Sequence, residues 1–438
     1  MSEGCAPLRR GHGHTFGRTL AFGAACLLGL ATAEARVAPL APQPETNRRG
    51  RLFAAPLELP QISWSRACSL RHPLCAYAPQ GSPDRELVEV LGSADHAWDV
   101  LVDVLGVPPP TSGLDATWDL RIVDAVEGAG CAQVVALDPR TRFERGASVA
   151  LVDRTARGCA LDVAVARALA QGSLLAAAPE TPDGLFLAES EQLARLATSC
   201  TALDEGAIEF QSEPERTLVD GRSTAFARGG AAFFEWLERT FARGPGALVP
   251  ALWALAPERL KSDGTHAQLD ATAFDVLAAS LRGAYGTDST LDDVLVAFAV
   301  ARVEMWPPVH AAWAVKWPAR PRRLVSAEPV APTGASYVFI RREGAQPGSR
   351  LRLEMEWEDY ARMRWVGLKL DSDGRVLAQI RVSSPNFATQ AAMTLDGLDG
   401  TDRVVVVGVN VGSTEHTFLP AQGEWEAHGW TLTVESLP

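Results

Sequence analysis

The chain has 438 residues, of which 47% are hydrophobic and 21% are charged, and its formal net charge is −12. A chain of this length and composition can bury a large core, so we expect a globular protein of two or three domains and not a disordered one. The acidic balance, without a long basic run, excludes nucleic acid and anionic lipid surfaces as expected partners.

The N-terminal segment, residues 1–35, has the layout of a bacterial secretory signal. Three arginines precede an apolar run over 19–33, and small residues follow it. The run is short for a membrane span, so we expect cleavage and an exported chain with no transmembrane segment after cleavage. Periplasmic, extracellular and lipid-tethered locations all stay open, because Cys26 is a candidate for lipid attachment.

Five cysteines follow the signal segment, and an exported setting permits disulfides. Cys68 and Cys75 enclose six residues and are the first expected pair, and Cys131 with Cys159 is the second choice. The odd count leaves one thiol over. Their spacing matches neither zinc knuckles nor CxxC redox motifs, so we interpret them as structural staples. The full set is Cys68, Cys75, Cys131, Cys159 and Cys200.

Changes in composition divide the rest of the chain into four parts. Five prolines fall within 36–60, which predicts a linker, and prolines and arginines cluster again over 313–332. We therefore predict an α+β domain over 61–312, a second linker over 313–332, and a domain of short strands over 333–438.

The predicted α+β domain begins with a helix and a small sheet. Apolar residues recur at helical spacing over 85–105, and the prolines at 108–110 end that helix. Extended segments at 118–123 and 147–152 are bounded by turn residues and are expected to be strands. They should lie against an alanine-rich helix that follows Gly158.

Further helices are expected along the rest of this domain. One covers 186–199, and another covers 225–242 with a broad aromatic stripe that is typical of a core. Thr290 with Asp293 forms an Asp-variant capping box that opens a third helix.

After residue 333 the hydrophobic pattern changes to period two. Alternation predicts a strand over 351–357, and a hairpin joins 366–370 to 376–382 through a turn that contains Gly374. A central strand is expected over 404–411. About eight short strands without helices predict a β-sandwich. The fold class is therefore α+β, with a mostly helical domain and a small sheet followed by an all-β sandwich.

Three patterns follow one another in the α+β domain: the helix GCALDVAVARA at 158–168, the acidic segment FLAESEQLA at 186–194, and the segment GGAAFFEWL at 229–237. In this order, over roughly 95–305, the chain resembles secreted gluzincin metallopeptidases. In that family an edge strand precedes an HExxH helix, and a Glu on the next helix is the third zinc ligand. The resemblance implies a zincin-like domain.

Carried onto this sequence, the resemblance places Asp162 and Ala166 where the two histidines stand, and Val163 where the catalytic glutamate stands. Glu189 keeps the position of the helix-borne glutamate. Histidines four residues apart share one helix face and reach one zinc, but Ala166 has no lone pair and Val163 cannot accept a proton. We therefore expect no catalytic residue, no bound metal and no cofactor, which describes a pseudo-metallopeptidase and not an enzyme.

Three functional hypotheses remain. The first is an exported, catalytically inactive zincin-like protein that binds an unknown protein, peptide or glycan in the cell envelope or outside it. The second is an active hydrolase or metallopeptidase with non-standard ligands, whose His, Asp and Glu side chains would converge in one pocket. The third is an adhesin whose β-domain binds through exposed aromatic residues such as Trp357 or Trp365, although both residues can equally belong to a core.

Overall fold

The structure is a computed structural model. It describes residues 62–112, 116–124, 126, 129–137, 145–179, 181–198, 200, 205–241, 246–248, 274, 277–278, 290–382, 384–385, 387–412 and 427–438. The predicted signal segment, the linker over 36–60 and Cys26 lie outside these residues. Helices and several sheets occur together, which confirms the α+β class.

The N-terminal part contains a five-stranded sheet with the order β1-β2-β3-β5-β4. Strands β2, β3 and β5 are parallel, whereas β1 and β4 are antiparallel edge strands. The two strands predicted from sequence are β3 and β5. The other three were not predicted: β1 and β2 contain none of the β-branched residues that mark strands, and β4 contains only Val134 and Val135. The strands are β1 (Trp64–Cys68), β2 (Leu74–Pro79), β3 (Trp118–Val123), β4 (Gly130–Leu137) and β5 (Gly146–Asp153).

Three helices pack on this sheet and on one another. Helix α1 (Asp84–Trp98) continues into a π-helical segment, Asp99–Val104, before the prolines at 108–110, so the predicted helix over 85–105 is confirmed. Helix α2 (Cys159–Ala177) packs against α1, β4 and β5, and α3 (Asp183–Ala197) packs against α2.

Four shorter helices follow: α4 (Glu205–Ser212), α5 (Thr224–Gly229), α6 (Ala231–Phe241) and α7 (Leu291–Ala301). The single helix predicted over 225–242 is divided into α5 and α6 at Gly230. Helix α5 approaches α4 closely, since a Cβ at Gly229 would lie 2.1 Å from the carbonyl oxygen of Gly206. The capping box of Thr290 and Asp293 opens α7 as predicted.

The C-terminal part consists of two packed sheets, with the orders β11-β10-β13-β8-β6 and β12-β9-β14-β7. The range 313–332 was predicted to be a linker, but it contains one short strand of each sheet. Both have only four residues, too few to show a period, yet Val315 and Leu324 are buried in the core between the sheets. The strands are β6 (Trp313–Lys316), β7 (Arg322–Val325), β8 (Ala335–Arg341), β9 (Arg350–Trp357), β10 (Met363–Leu370), β11 (Val376–Arg381), β12 (Gln390–Leu395), β13 (Arg403–Asn410) and β14 (Trp430–Leu437).

The sheet that contains β13 is buried on both faces. Val404 and Val406 belong to the core between the two sheets, whereas Val405 and Val407 belong to the core shared with the helices. A strand covered on both sides has an uninterrupted apolar run, as β13 does. The Tyr337 hydroxyl donates a 2.8 Å hydrogen bond to the carbonyl of Ala299, so a polar contact also joins the sheet to α7.

The structure contains the predicted disulfide between Cys68 and Cys75. The second choice, Cys131 with Cys159, is wrong, because Cys159 pairs with Cys200. Cys159 is the first residue of α2, and Cys200 lies just beyond the end of α3. Helix α3 runs back along α2, so its end lies beside the start of α2 and the two cysteines meet. Cys131 is buried in β4 and is disulfide-bonded as well, so the expectation of one leftover thiol among these five cysteines is wrong.

In the part of the chain that the structure describes, α2 is the one helix that is long and apolar enough to cross a membrane. Within that stretch, 78% of the residues are buried inside the fold.

Candidate functional site

The residues singled out by the family resemblance lie on two neighbouring helices. Asp162 stands in the first turn of α2, where its Oδ1 accepts a 2.6 Å hydrogen bond from the Ser93 hydroxyl of α1. Val163 is half-buried, Ala166 is fully buried, and Glu189 on α3 is only 2% exposed. The Asp162 carboxylate therefore points toward α1, while α2 presents other side chains to α3.

The polar contact between α2 and α3 is an ion pair. The Nε of Arg167 lies 2.7 Å from the Oε2 of Glu191, and both side chains are about nine-tenths buried. Burial by itself raises the pKa of the Glu191 carboxyl, but the Arg167 guanidinium together with two weaker arginine contributions more than offsets this, and the pKa of Glu191 is lowered. Arg195 and Arg228 act in the same direction. Glu191 is therefore an ionised carboxylate inside the protein.

One helical turn after Arg167, Gln171 makes the second contact on the same face. Its Oε1 accepts a 2.9 Å hydrogen bond from the backbone N–H of Ala132 on the edge strand β4, and its Nε2 lies 3.5 Å from the Ser190 hydroxyl. Residues four apart project from one side of a helix, so Arg167 and Gln171 point together toward α3. We call Arg167, Gln171, Ser190 and Glu191 the α2–α3 cluster.

A second buried carboxylate lies between α3 and α6. The Oε2 of Glu238 accepts hydrogen bonds from the Gln192 amide at 3.4 Å and from the backbone N–H of Gly246 at 3.0 Å. Burial raises the pKa of Glu238, and these hydrogen bonds lower it less than burial raises it. The acidic segment at 186–194 thus faces the protein interior and supplies buried polar groups to two helix contacts.

The α2–α3 cluster has the chemistry of a structural ion pair. A guanidinium has five N–H donors and no lone pair, so Arg167 cannot be a metal ligand. It also pairs with the Glu191 carboxylate, which could otherwise bind a metal. The sequence does carry a signal for this pair: Arg167 and Gln171 are the two large polar residues in an otherwise apolar part of α2. The family resemblance places the two histidine positions at Asp162 and Ala166, five residues before this pair.

Among the residues that the structure describes, one other group could hold a metal ion. The ligand atoms of His72, Asp99 and Asp103 lie within 4.8 Å of one another. The Arg71 guanidinium already donates to both Asp99 oxygens at 2.7 Å, and His72 Nε2 lies 2.8 Å from Oδ1. The hydrogen bonds from Arg71 and then His72 lower the pKa of Asp99. A metal ion bound here would have to displace the Arg71 guanidinium from the Asp99 carboxylate.

The aromatic residues suggested as a binding platform are part of the core. Trp357 is 6% exposed and Trp365 is 1% exposed. They pack against each other at 6.3 Å between ring centroids, and Trp365 packs edge-on against Trp430 at 5.7 Å. Neither can act as an exposed platform, and the core interpretation of these two residues is confirmed.

No protein-family model matches the chain. No curated protein is significantly similar to it either.

Three solved structures share short stretches of similarity with the chain. The enzymatically active domain of tailspike protein 4 of Bacteriophage CBA120 is 12% identical, over 26% of this chain and 15% of that one, with a TM-score of 0.18. The K1 cleaved adhesin domain of Lys-gingipain from Porphyromonas gingivalis W83 is 14% identical, over 24% and 63%, with a TM-score of 0.16. The surface-associated copper-binding protein CorA of Methylomicrobium album BG8 is 8% identical, over 29% and 98%, with a TM-score of 0.19. TM-scores of this size do not establish a common fold.

Proposed function

We propose that the chain is an exported, non-catalytic zincin-like protein in which a buried arginine–glutamate pair stands where gluzincins hold zinc. The observation that carries the proposal is the 2.7 Å contact between Arg167 and Glu191, across the interface of α2 and α3. In the gluzincins that the sequence resembles, the helix with the two histidines and the helix with the third ligand also face each other.

The proposal moves the comparison by five residues on α2, and by two residues on α3, from Glu189 to Glu191. Zinc-binding histidines must point toward the helix that supplies the third ligand, and α2 presents Arg167 and Gln171 to α3. We therefore assign Arg167 and Gln171, and not Asp162 and Ala166, to the positions of the two histidines. Ala168 then occupies the position of the catalytic glutamate. The contact of Gln171 with the edge strand β4 supports this assignment, because an edge strand accompanies the HExxH helix in that family.

Each of these replacements removes one part of the catalytic machinery. The Arg167 guanidinium supplies the positive charge that zinc would have supplied, which keeps Glu191 ionised without a metal. Ala168 has no group that could take a proton from a water molecule. Gln171 satisfies an outward backbone N–H of the edge strand, a type of group that otherwise pairs with another extended chain. The result is a closed helix interface and not a substrate cleft.

The function that remains for such a scaffold is binding. Two disulfides whose partners both lie in the described ranges, Cys68–Cys75 and Cys159–Cys200, are consistent with an oxidising compartment and so with export. We assign the two packed C-terminal sheets to the predicted β-sandwich domain, and the partner to a protein, peptide or glycan in the cell envelope or outside it.

A zinc titration combined with a peptidase assay tests the proposal. The mature chain, purified with its disulfides intact, is titrated with zinc by calorimetry and incubated with an unstructured protein substrate with and without a chelator. We expect no tight equimolar zinc site and no cleavage that the chelator abolishes. One equivalent of tightly bound zinc together with chelator-sensitive cleavage would overturn the proposal and favour the alternative of an active metallopeptidase.

A further inference from the structure

A cleft of about 960 Å³ lies where the chain passes from the helices into the packed sheets. Pro308 and Val309, which precede β6, line one side. Ala314 of β6 and Phe339 of β8 line the sheet side, and these two are direct neighbours in the strand register. Binding sites for small molecules occur preferentially at such junctions between structural units. We call this cleft the Arg341 groove, after the residue two positions beyond Phe339 on the same face of β8.

Three cations stand in a row across this end of the sheet. Arg341 of β8 is directly opposite Lys316 of β6 on one side and directly opposite Arg403 of β13 on the other. Like charges placed opposite each other on adjacent strands are destabilising. The row therefore lowers stability unless an anion compensates it.

The acidic residues near the row compensate only its two ends. Glu343 pairs with Lys316 at 3.1 Å, and Asp402 pairs with Arg403 at 3.3 Å. The third acid lining the groove, Asp399, pairs with Arg342 at 2.7 Å. Within the described ranges, the exposed Arg341 side chain makes neither an ion pair nor a hydrogen bond. Arg341 is thus the one charge without an ion-pair partner among the three arginines and three acids that line the groove, in a chain whose net charge is −12.

We propose that the Arg341 groove binds a small organic carboxylate. The planar guanidinium of Arg341 presents two parallel N–H groups that match the two oxygens of a carboxylate. The exposed Pro308 and Ala314 and the half-buried Phe339 offer an apolar surface beside it for the body of the ligand. The single unpaired charge favours a monoanion, because Asp399 and Asp402 at the rim would repel the second charge of a phosphate.

This proposal concerns a different site from the α2–α3 cluster and does not depend on it. Zinc binding and carboxylate binding are separate measurements, so the failure of one proposal leaves the other standing.

Calorimetry on the full mature chain tests the carboxylate site. The probes are N-acetylphenylalanine, its neutral amide, glucuronate and inorganic phosphate. We expect saturable binding of N-acetylphenylalanine, at least tenfold weaker binding of the amide and of phosphate, and weaker binding of glucuronate if the apolar surface contributes. Tighter binding of glucuronate than of N-acetylphenylalanine would identify a sugar acid as the source of the carboxylate. Equal binding of the acid and the amide, tighter binding of phosphate, or no saturable binding of either carboxylate overturns the proposal.

Two variants separate recognition by Arg341 from a structural role. Arg341→Gln should weaken N-acetylphenylalanine binding at least tenfold. Arg341→Lys should give intermediate binding, because lysine keeps the positive charge but lacks the two parallel N–H groups of the guanidinium. The matched control is Arg352→Gln, an exposed arginine of β9 in the other sheet. Without ligand, Arg341→Gln should leave the midpoint of thermal unfolding unchanged or raise it, because it removes the central charge of the row. A lowered midpoint with unchanged binding would show that Arg341 is structural and would overturn the assignment.

Discussion

Arg167 of α2 and Glu191 of α3 form an ion pair of 2.7 Å between two helices, with both side chains about nine-tenths buried. Removing one member of a buried pair leaves an uncompensated charge in the interior, whereas replacing both by apolar groups can be nearly neutral. If this pair replaces a metal centre, its contribution can be measured as the change in the free energy of unfolding when Arg167 or Glu191 is replaced.

The first prediction concerns this pair. Arg167→Met should lower the free energy of unfolding by roughly 3 kcal/mol, because Glu191 keeps only the weaker contributions of Arg195 and Arg228. The double variant Arg167→Met with Glu191→Leu should recover most of the loss. Urea unfolding followed by circular dichroism measures both. Arg239→Met, which breaks the exposed pair with Glu235, is the control and should change the free energy little. Equal losses in the single and double variants would show that the pair is not the source of the effect.

The second prediction concerns pH. Burial raises the pKa of Glu215 from 4.5 to about 7, with Arg302 opposing and Glu328 adding to the rise. Between these two pH values the folded chain holds a proton that the unfolded chain has released, so stability decreases as pH rises from about 4.5 to 7. The shift corresponds to roughly 3 kcal/mol at most. Glu215→Gln should therefore unfold at higher urea than the wild type at pH 8 and at similar urea at pH 4.5. The exposed Glu354→Gln on β9 is the control and should change the urea midpoint little at either pH. A Glu215→Gln effect of the same size at both pH values would contradict the assigned cause.

The third prediction concerns the junction between the helices and the sheets. The Arg302 side chain is buried, donates to the Phe210 carbonyl at 2.6 Å and to the Gln211 Oε1 at 2.8 Å, and stacks over the Phe210 ring at 4.2 Å. Arg302→Met leaves these acceptors without donors, and we expect a loss of about 2 to 4 kcal/mol. Urea unfolding measures the loss. The exposed Arg323→Met is the control, and a comparable loss in both variants would show that burial of Arg302 is not the cause.

The fourth prediction concerns the disulfides. Peptide mapping without reduction should recover Cys159 linked to Cys200, and Cys68 linked to Cys75. The first bridge spans 41 residues and the second spans 7, so closing the longer loop should stabilise the fold by about 4 kcal/mol and the shorter by about 2.5 kcal/mol. The paired serine variants measure the difference in thermal unfolding. A peptide with Cys131 linked to Cys159 would contradict the structure.

The sequence predicted elements that have a clear hydrophobic period or a clear start signal such as a capping box. It did not predict which faces of those elements contact each other. The valine run of β13 identified a central strand, and the Thr290 box identified the start of α7. Strands of four residues, such as β6 and β7, are too short to show a hydrophobic period. Helix α2 was predicted as a helix, and Arg167 and Gln171 mark one polar side of it, but the sequence does not reveal which neighbouring element that side meets. Only the packing identifies Arg167 as the residue that faces Glu191.

The most direct test of the central claim compares two zinc sites built into α2. One variant carries Arg167→His, Ala168→Glu and Gln171→His, and the other carries Asp162→His, Val163→Glu and Ala166→His. Circular dichroism checks that both fold, and zinc titration measures the stoichiometry. We predict that the first variant binds one equivalent of zinc at the face toward α3, and that the second binds none. One equivalent in the second variant and none in the first would contradict the account that Arg167 and Glu191 occupy the place of a lost zinc centre.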